Sequence, residues 1–176
     1  NAFYNTTSLT TLTFQPGATK VTIAGNAFAK SGLLYLNCYA PEIEINSNAF
    51  GTPDTTNKTN SSKLKTVCFY SNTKKITLGK NLFRYMKYLQ SVKIENASAT
   101  ASLAENLFQG SSVNTVTFPS TITSIPMQTF FGCVNLKSFT IPGSVKSISI
   151  GAFSGSGLTG TIQIGARIEF RTPTVN

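Results

Sequence analysis

Apolar residues recur along this chain at a long and nearly constant period. The most regular of them are phenylalanines, most of which follow Asn-Ala, Asn-Leu or Gly-Ala; they are Phe3, Phe28, Phe50, Phe83, Phe108, Phe130 and Phe153. Their separations are 25, 22, 33, 25, 22 and 23 residues. Self-similarity at such a period is the signature of a repeat protein whose units stack in one direction. The pattern therefore predicts a solenoid, and we call each repeat unit a rung.

Two short segments of each rung alternate apolar and polar residues. In the first rung they end on Leu12/Phe14 and on Val21/Ile23, and the second segment always closes five residues before the next anchor phenylalanine. Alternation with period two indicates a strand that buries one face. The loops between the two segments differ in length by two residues, which keeps the side-chain register unchanged. We expect a mostly β protein with a main strand and a short second strand in each rung and with little helix.

One repeat is longer than the others because it contains an insertion. Residues 51–63 read GTPDTTNKTNSSK, without an apolar side chain and with turn-forming residues at Gly51, Pro53, Asp54 and Asn60. This segment is interpreted as a mobile surface loop. The chain shows no convincing domain boundary elsewhere, so residues 1–176 are predicted to form one solenoid domain.

The stretch 128–154, QTFFGCVNLKSFTIPGSVKSISIGAFS, is similar to the BspA-type leucine-rich repeat, I-x-x-x-A-F-x-G-C-x-x-L-x-x-I-x-I-P. The matching residues are Phe130, Gly132, Cys133, Leu136, Phe139, Ile141, Pro142, Ile148, Ala152 and Phe153. The resemblance covers essentially the whole chain; it is weaker at 51–63 and 95–104, and Ile162 and Ile164 are displaced by one residue. It implies about seven rungs, with a parallel sheet on the concave face.

The resemblance also carries expectations about function. Members of the family occur on the surfaces of gut and oral bacteria and of some parasitic protists, and they are associated with adhesion. It thus implies an extracellular or cell-surface binding module that is not an enzyme. Neither end of the chain has a recognisable polar cap, so we expect a fragment of a longer protein. Two alternatives stay open: a structural spacer without a ligand, and a carbohydrate-active parallel solenoid.

The amino-acid composition excludes most of the common catalytic sites. The chain has no histidine, which excludes Ser-His and Cys-His pairs and histidine metal sites. Glu42 and Glu44 flank Ile43 on one strand rather than facing each other across a cleft. No catalytic residue, metal ligand or cofactor is predicted, and no apolar run approaches the roughly 18 residues of a membrane span.

The strand register predicts which side chains face outward on the main sheet. The outward row is rich in threonine and is interrupted by Tyr35, Tyr39 and Tyr70. Tyr39 and Tyr70 occupy equivalent positions in neighbouring rungs and should lie about 4.8 Å apart laterally. Tyrosines on a rigid sheet suit contacts with a protein or a sugar, although they also stabilise the pairing of strands. The same register turns Cys38 inward and Cys68 outward, which predicts rapid alkylation of Cys68 and no disulfide between the two.

Positive charge is concentrated in the middle of the chain. The formal net charge is +9. Residues 58–93 hold nine Lys and Arg and no acid, whereas six cations and six acids balance elsewhere. The candidate basic belt comprises Lys74, Lys75, Lys80, Arg84, Lys87 and Lys93. Such a belt attracts an acidic glycan or an acidic protein, or it only keeps the surface solvated. Nucleic acid is disfavoured, because the lysines come from several faces and no nucleic-acid motif is present.

Overall fold

The computed structural model describes residues 1–159, 162, 164 and 169–171. Within these residues the chain forms twelve short strands and no helix. In chain order they are β1 Thr11–Phe14, β2 Lys20–Ile23, β3 Tyr35–Cys38, β4 Glu42–Ile45, β5 Thr66–Phe69, β6 Lys75–Leu78, β7 Ser91–Ile94, β8 Thr100–Leu103, β9 Thr115–Thr117, β10 Ser124–Ile125, β11 Ser147–Ser149 and β12 Glu169–Arg171.

The strands form parallel sheets that run along the stack of rungs. Sheet one has the order β1-β3-β5-β7-β9, sheet two the order β2-β4-β6-β8, and sheet three the order β10-β11-β12. Within each sheet a strand pairs with its equivalent in the next rung, so that Leu12 lies opposite Leu36 and Leu36 opposite Val67. The chain is a parallel β-solenoid of about six turns, which confirms the predicted fold class and strand register.

The anchor phenylalanines form one continuous stack inside the solenoid. Successive ring centroids lie 4.9, 6.0, 6.0, 5.2, 5.3 and 5.2 Å apart from Phe3 to Phe153. The middle rings are fully buried, whereas Phe3 at the end of the stack is 40% exposed. Ile162 and Ile164, which depart from the repeat in sequence, are exposed. Burial of one ring per rung thus fixes where each turn of the solenoid begins.

The backbone conformation explains why a polar residue or glycine recurs two positions before each anchor phenylalanine. The residue two positions before the anchor has a positive φ in successive rungs, at Asn26, Asn48, Asn81, Asn106, Gln128 and Gly151. The left-handed region is costly for most side chains, and asparagine and glycine tolerate it best. The recurring Asn of the Asn-Ala-Phe pattern therefore specifies a tight turn rather than a ligand.

Sheet one loses its regular pairing after β9, where prolines enter the repeat. In the well-paired rungs the residue after the main strand donates its backbone N–H to the preceding rung, as Tyr39, Tyr70 and Glu95 do at 2.9 Å. Pro119 and Pro142 hold this position in the next two rungs and have no N–H to donate. β9 still pairs with β7 at three residues in spite of Pro119, and sheet one ends there, before the rung of Pro142.

The second face is interrupted one rung earlier, again beside a proline. After the second strand, Asn46 donates its N–H to Ile23 and Gly79 donates to Ile45, at 2.9 and 2.8 Å. Pro126 holds this position after β10 and has no N–H. Sheet two ends at β8, and β10 begins sheet three.

The C-terminal end of the inserted segment 51–63 packs against the solenoid. Asp54 and Thr59 form a small antiparallel bridge. Asn60 is only 4% exposed, and its Nδ2 donates to the carbonyl oxygens of Gly51 at 3.2 Å and Arg84 at 3.3 Å. Ser62 is buried as well. Asn60 and Ser62 thus pack through polar contacts that a count of apolar residues in this segment could not predict.

Replacing Phe108 by alanine tests the anchor stack. Phe108 is fully buried between Phe83 and Phe130, so Phe108→Ala should lower the free energy of unfolding by about 3–5 kcal/mol. Denaturant unfolding followed by circular dichroism measures the change. Phe3→Ala at the exposed end is the matched control and should cost much less. Equal losses for the two variants would contradict a buried stack.

Replacing Asn60 by alanine tests the packing of the inserted segment. Asn60→Ala leaves two carbonyl groups without their amide donor and should destabilise the protein by about 1–3 kcal/mol. Thr55→Ala, at an exposed position of the same segment, is the control and should leave the thermal melt unchanged. A melt of Asn60→Ala that overlays the wild type would restore the view of a loop without packing.

Candidate functional site

The outer face of sheet one brings together side chains that are far apart in the chain. Asn37, Cys68 and Lys93 are direct neighbours on β3, β5 and β7. Tyr39, Tyr70 and Glu95 follow these strands at equivalent positions. Tyr35 stands at the start of β3 and is 42% exposed. We call Tyr39, Tyr70, Cys68, Lys93 and Glu95 the tyrosine cluster; Tyr35 lies beside it on the same face.

Tyr39 and Tyr70 are stacked on each other. Their ring centroids lie 4.1 Å apart with an interplanar angle of 6°, and both side chains are partly exposed. The side-chain amide of Asn72 donates to the backbone carbonyl of Tyr39 and fixes the loop that carries Tyr70. Because the rings cover each other, each offers a partner its edge, its hydroxyl group and only one face. The stack is thus suited to hydrogen bonding and edge contacts more than to a flat platform.

The hydroxyl of Tyr70 is held in its protonated form. The hydrogen bond with the Tyr39 hydroxyl, followed by the charge of a Cys68 thiolate, raises the pKa of Tyr70 to about 12. Tyr70 is therefore a neutral hydrogen-bond donor and acceptor throughout the physiological range. The pair adds polar contacts to this surface without adding charge.

Cys68 faces outward as the register predicts, but it is covered. The residue is only 8% exposed, and its thiol donates to Oε1 of Glu95 at 3.7 Å. Burial, followed by the charge of Glu95, raises the pKa of the Cys68 thiol to about 11. The prediction of rapid alkylation is therefore contradicted, because an outward position does not ensure exposure where large side chains of adjoining rungs lean over it.

The basic belt is partly neutralised by acids from neighbouring rungs. Lys75 Nζ lies 3.0 Å from Oε1 of Glu42, and Lys80 Nζ lies 2.9 Å from Oε2 of Glu105. Lys20 also contacts Glu42 at 3.2 Å. The charge split along the chain could not show this, since stacking places Glu42 beside a lysine 33 residues away.

The remaining cations of the belt lie on different sides of the solenoid. Arg84 and Lys87 are on the side of the anchor turns, where they lie 4.7 and 5.4 Å from the rings of Tyr85 and Tyr88. Lys74 precedes β6 and is exposed. Lys93 is the member of the belt that projects from sheet one. The proposed residues therefore do not form one surface: Lys93 alone joins the tyrosine cluster.

The two acids of β4, Glu42 and Glu44, form salt bridges with lysines. The hydrogen bonds from Lys75 and Lys20 lower the pKa of Glu42. A glycosidase needs one carboxylic acid with a raised pKa opposite a carboxylate. Glu42 and Glu44 instead stand on one strand, and Lys20 contacts both. The arrangement gives no support to a carbohydrate-active solenoid.

Sequence reasoning did not include Cys68 and Glu95 in the candidate site. The signal was available, because the register that aligns Tyr39 with Tyr70 also aligns Glu95 with them. What the pattern could not give is the contact between the Cys68 thiol and Glu95, which depends on side-chain conformations.

Comparison with known families agrees with this architecture. The model of the BspA type leucine rich repeat region matches residues 1–82 and 59–171, with six copies. The chain belongs to the BspA-type leucine-rich repeat family. No curated protein and no solved structure matches it. BspA-type proteins are commonly surface proteins, and leucine-rich repeat solenoids are typically non-enzymatic scaffolds that mediate protein interactions.

In the described part of this BspA-type chain, no group of three or more His, Cys, Asp or Glu side chains is arranged to hold a metal ion. None of the secondary structure assigned there is a helix of the length and apolarity that crossing a membrane requires.

Alkylation kinetics test the environment of Cys68 in this BspA-type solenoid. Glu95→Gln removes a negative charge and a thiolate-disfavouring contact, so it should lower the pKa of Cys68 and speed alkylation several-fold at pH 8–9. Lys93→Gln removes a charge that stabilises the thiolate and should slow it. Mass spectrometry of native protein treated with iodoacetamide measures both rates. The same rate in both variants would contradict electrostatic control by these two residues.

Proposed function

We propose that this chain is a non-enzymatic binding module that works outside the cell or at its surface. Its partner is a protein or an acidic glycan on a host cell or a neighbouring cell, and the tyrosine cluster makes the contact. One observation carries the proposal: a stacked, partly exposed Tyr39–Tyr70 pair stands on a paired parallel sheet next to an exposed lysine. Rigid aromatic side chains with polar tips are favoured in binding sites, because little entropy is lost when they are covered.

The charges give the two kinds of residue different roles. Lys74 and Lys93 are exposed and form no ion pair within the described residues, so they act on an approaching anionic partner at long range. Lys75 and Lys80 are engaged with Glu42 and Glu105 and contribute less. Tyr35, Tyr39 and Tyr70 supply the short-range contacts. Arg84 and Lys87, on the anchor-turn side, add to the overall positive field.

The second candidate function is a structural spacer without a ligand. The observation that favours it is the set of contacts that tie adjacent rungs together, namely the continuous phenylalanine stack and the inter-rung ion pairs. These contacts stiffen a solenoid along its axis, as a spacer requires. The binding hypothesis ranks first, because a spacer has no need for an exposed tyrosine pair.

Surface plasmon resonance with immobilised matrix proteins and sulfated glycans tests the proposal. Tyr39→Ala/Tyr70→Ala should speed dissociation about tenfold or more, since it removes aromatic contacts. Lys74→Gln/Lys93→Gln should slow association and flatten its salt dependence, since exposed charges act through steering. Glu42→Gln/Lys75→Gln removes a paired lysine together with its partner, leaves the net charge unchanged and is the matched control, so association should keep the wild-type rate.

Two outcomes would decide against the binding hypothesis. If no member of the panel binds the folded wild-type protein, the spacer hypothesis is favoured. If a ligand binds but the paired and unpaired lysine variants behave alike, and the tyrosine variant dissociates at the wild-type rate, the tyrosine cluster is not the contact surface.

A further inference from the structure

A cleft separates two rungs of the solenoid where sheet one ends. It lies between β9 and residues 138–142 of the following rung and has a volume of about 390 Å³. Its walls carry hydroxyl side chains and its floor is apolar; the principal lining residues are Thr115, Val116, Thr117, Ser138, Phe139 and Thr140. The cleft is two rungs away from the rung of Tyr70, and Thr117 in its wall pairs with Lys93, so it adjoins the edge of the tyrosine cluster that lies farthest from the stacked tyrosines.

The sequence of this rung explains why the cleft is open. Phe139 holds the inward position that is leucine or valine in the five preceding rungs, at Leu12, Leu36, Val67, Val92 and Val116. Its larger ring packs edge-on against Phe118, with centroids 5.8 Å apart, and against Phe130 at 5.0 Å. Pro142 removes the N–H that closes the end of the strand in earlier rungs. The inward residues Val116 and Phe139 are accordingly partly exposed, whereas Val92 in the paired rung before them is fully buried.

The cleft leaves backbone groups of both rungs without a partner. Between well-paired rungs, Tyr35 N donates to the Thr10 carbonyl at 3.1 Å, and Thr115 N donates to the Gln90 carbonyl at 3.1 Å. No backbone hydrogen bond joins residues 114–118 to residues 138–142, all of which lie in the described part of the chain. By the register of the repeat, the carbonyl groups of Asn114 and Val116 point into the cleft from one side. The N–H group of Val116 points the same way, and the N–H and C=O groups of Ser138 and Thr140 point into the cleft from the other side.

We propose that this cleft binds an extended peptide segment, which adds a parallel strand between β9 and residues 138–142. Each wall is a strand edge on which N–H and C=O groups alternate, and the two edges of an inserted strand present the same alternation to both walls. A glycan has no such alternation of amide groups along its chain. The proposal goes beyond the function proposed above, since it concerns the cleft rather than the stacked tyrosines and requires no charge.

The lining residues define the kind of segment. Side chains of a strand alternate between the two faces of the sheet. The inward residue meets Val116 and Phe139 and must be small, such as glycine, alanine or serine. The outward residues lie between the hydroxyl groups of Thr115 and Thr117 on one side and Ser138 and Thr140 on the other, which favours polar or β-branched side chains.

Titration of the ¹⁵N-labelled protein with the peptide Ac-Thr-Ala-Thr-Ala-Thr-NH₂ tests the proposal. We expect saturable shifts of the backbone amide signals of Ser138 and Thr140, with those of Tyr39 and Tyr70 unchanged. The same peptide with N-methyl groups on both alanines loses the two N–H donors that face one wall. Its Kd should rise at least about tenfold. A peptide with leucine in place of both alanines should also bind more weakly, because the inward space is filled.

Protein variants separate this site from the tyrosine cluster. Phe139→Val/Pro142→Tyr restores the residue types of the third rung, Val67 and Tyr70, and should close the cleft and abolish the shifts without lowering the melting temperature. If the double variant unfolds, Pro142→Tyr alone restores the missing donor and should still weaken the peptide. The Tyr39→Ala/Tyr70→Ala variant should bind the peptide with the wild-type Kd, whether or not it still binds the protein or glycan partner of the proposed function.

Three results would overturn the inference. The first is the absence of shifts at Ser138 and Thr140 when the folded protein is titrated to millimolar peptide. The second is equal binding of the N-methylated peptide, which would mean that backbone groups do not recognise it. The third is binding that survives in a folded Phe139→Val/Pro142→Tyr variant. If, in the first case, the peptide shifts only signals of the tyrosine cluster, peptide binding in the cleft is contradicted and the proposed function is unaffected.

Discussion

Burial of one phenylalanine per rung is the interaction on which the rest of this solenoid depends. A strand of four residues cannot be stable alone, and a single rung buries too little apolar surface to order itself. Stacked rings 4.9–6.0 Å apart match the roughly 4.8 Å spacing of paired strands, so packing the anchors also aligns the backbones. The left-handed residue two positions before each anchor turns the chain at the same point in every rung. Stack, turn and sheet register are therefore one constraint rather than three.

That constraint explains which features could be predicted from the sequence. The strands, their register and the adjacency of Tyr39 and Tyr70 follow from a local pattern that repeats. The strand positions in one rung therefore predict those in the others. The pairing of Lys75 with Glu42 does not follow in the same way, because it joins side chains of different rungs whose contact depends on conformation. The charge split between the middle and the rest of the chain was correct as arithmetic, yet stacking brings acids of the second rung against lysines of the third.

The other differences between sequence and structure have equally local causes. Cys68 has the predicted direction, but the contact with Glu95 and the neighbouring side chains removes it from solvent. Asn60 is buried in a segment without apolar residues, because its amide bonds two backbone carbonyls. Periodicity reports which face a residue takes. It does not report how much of that face neighbouring side chains cover, and polar packing leaves no periodic trace.

Departures from the repeat divide the molecule into two parts with different surfaces. Rungs one to four keep both sheets paired and carry the tyrosine cluster and the exposed Lys74 and Lys93. Beyond them Pro119, Pro126 and Pro142 remove backbone donors from both faces in turn, while the phenylalanine stack continues through Phe130 to Phe153. The core thus tolerates loss of pairing on its surface, because the anchors hold the rungs together from inside. A repeat protein built in this way can vary its outer strands for recognition without giving up its fold, and it is where this chain departs from its own pattern that backbone groups become available to a partner.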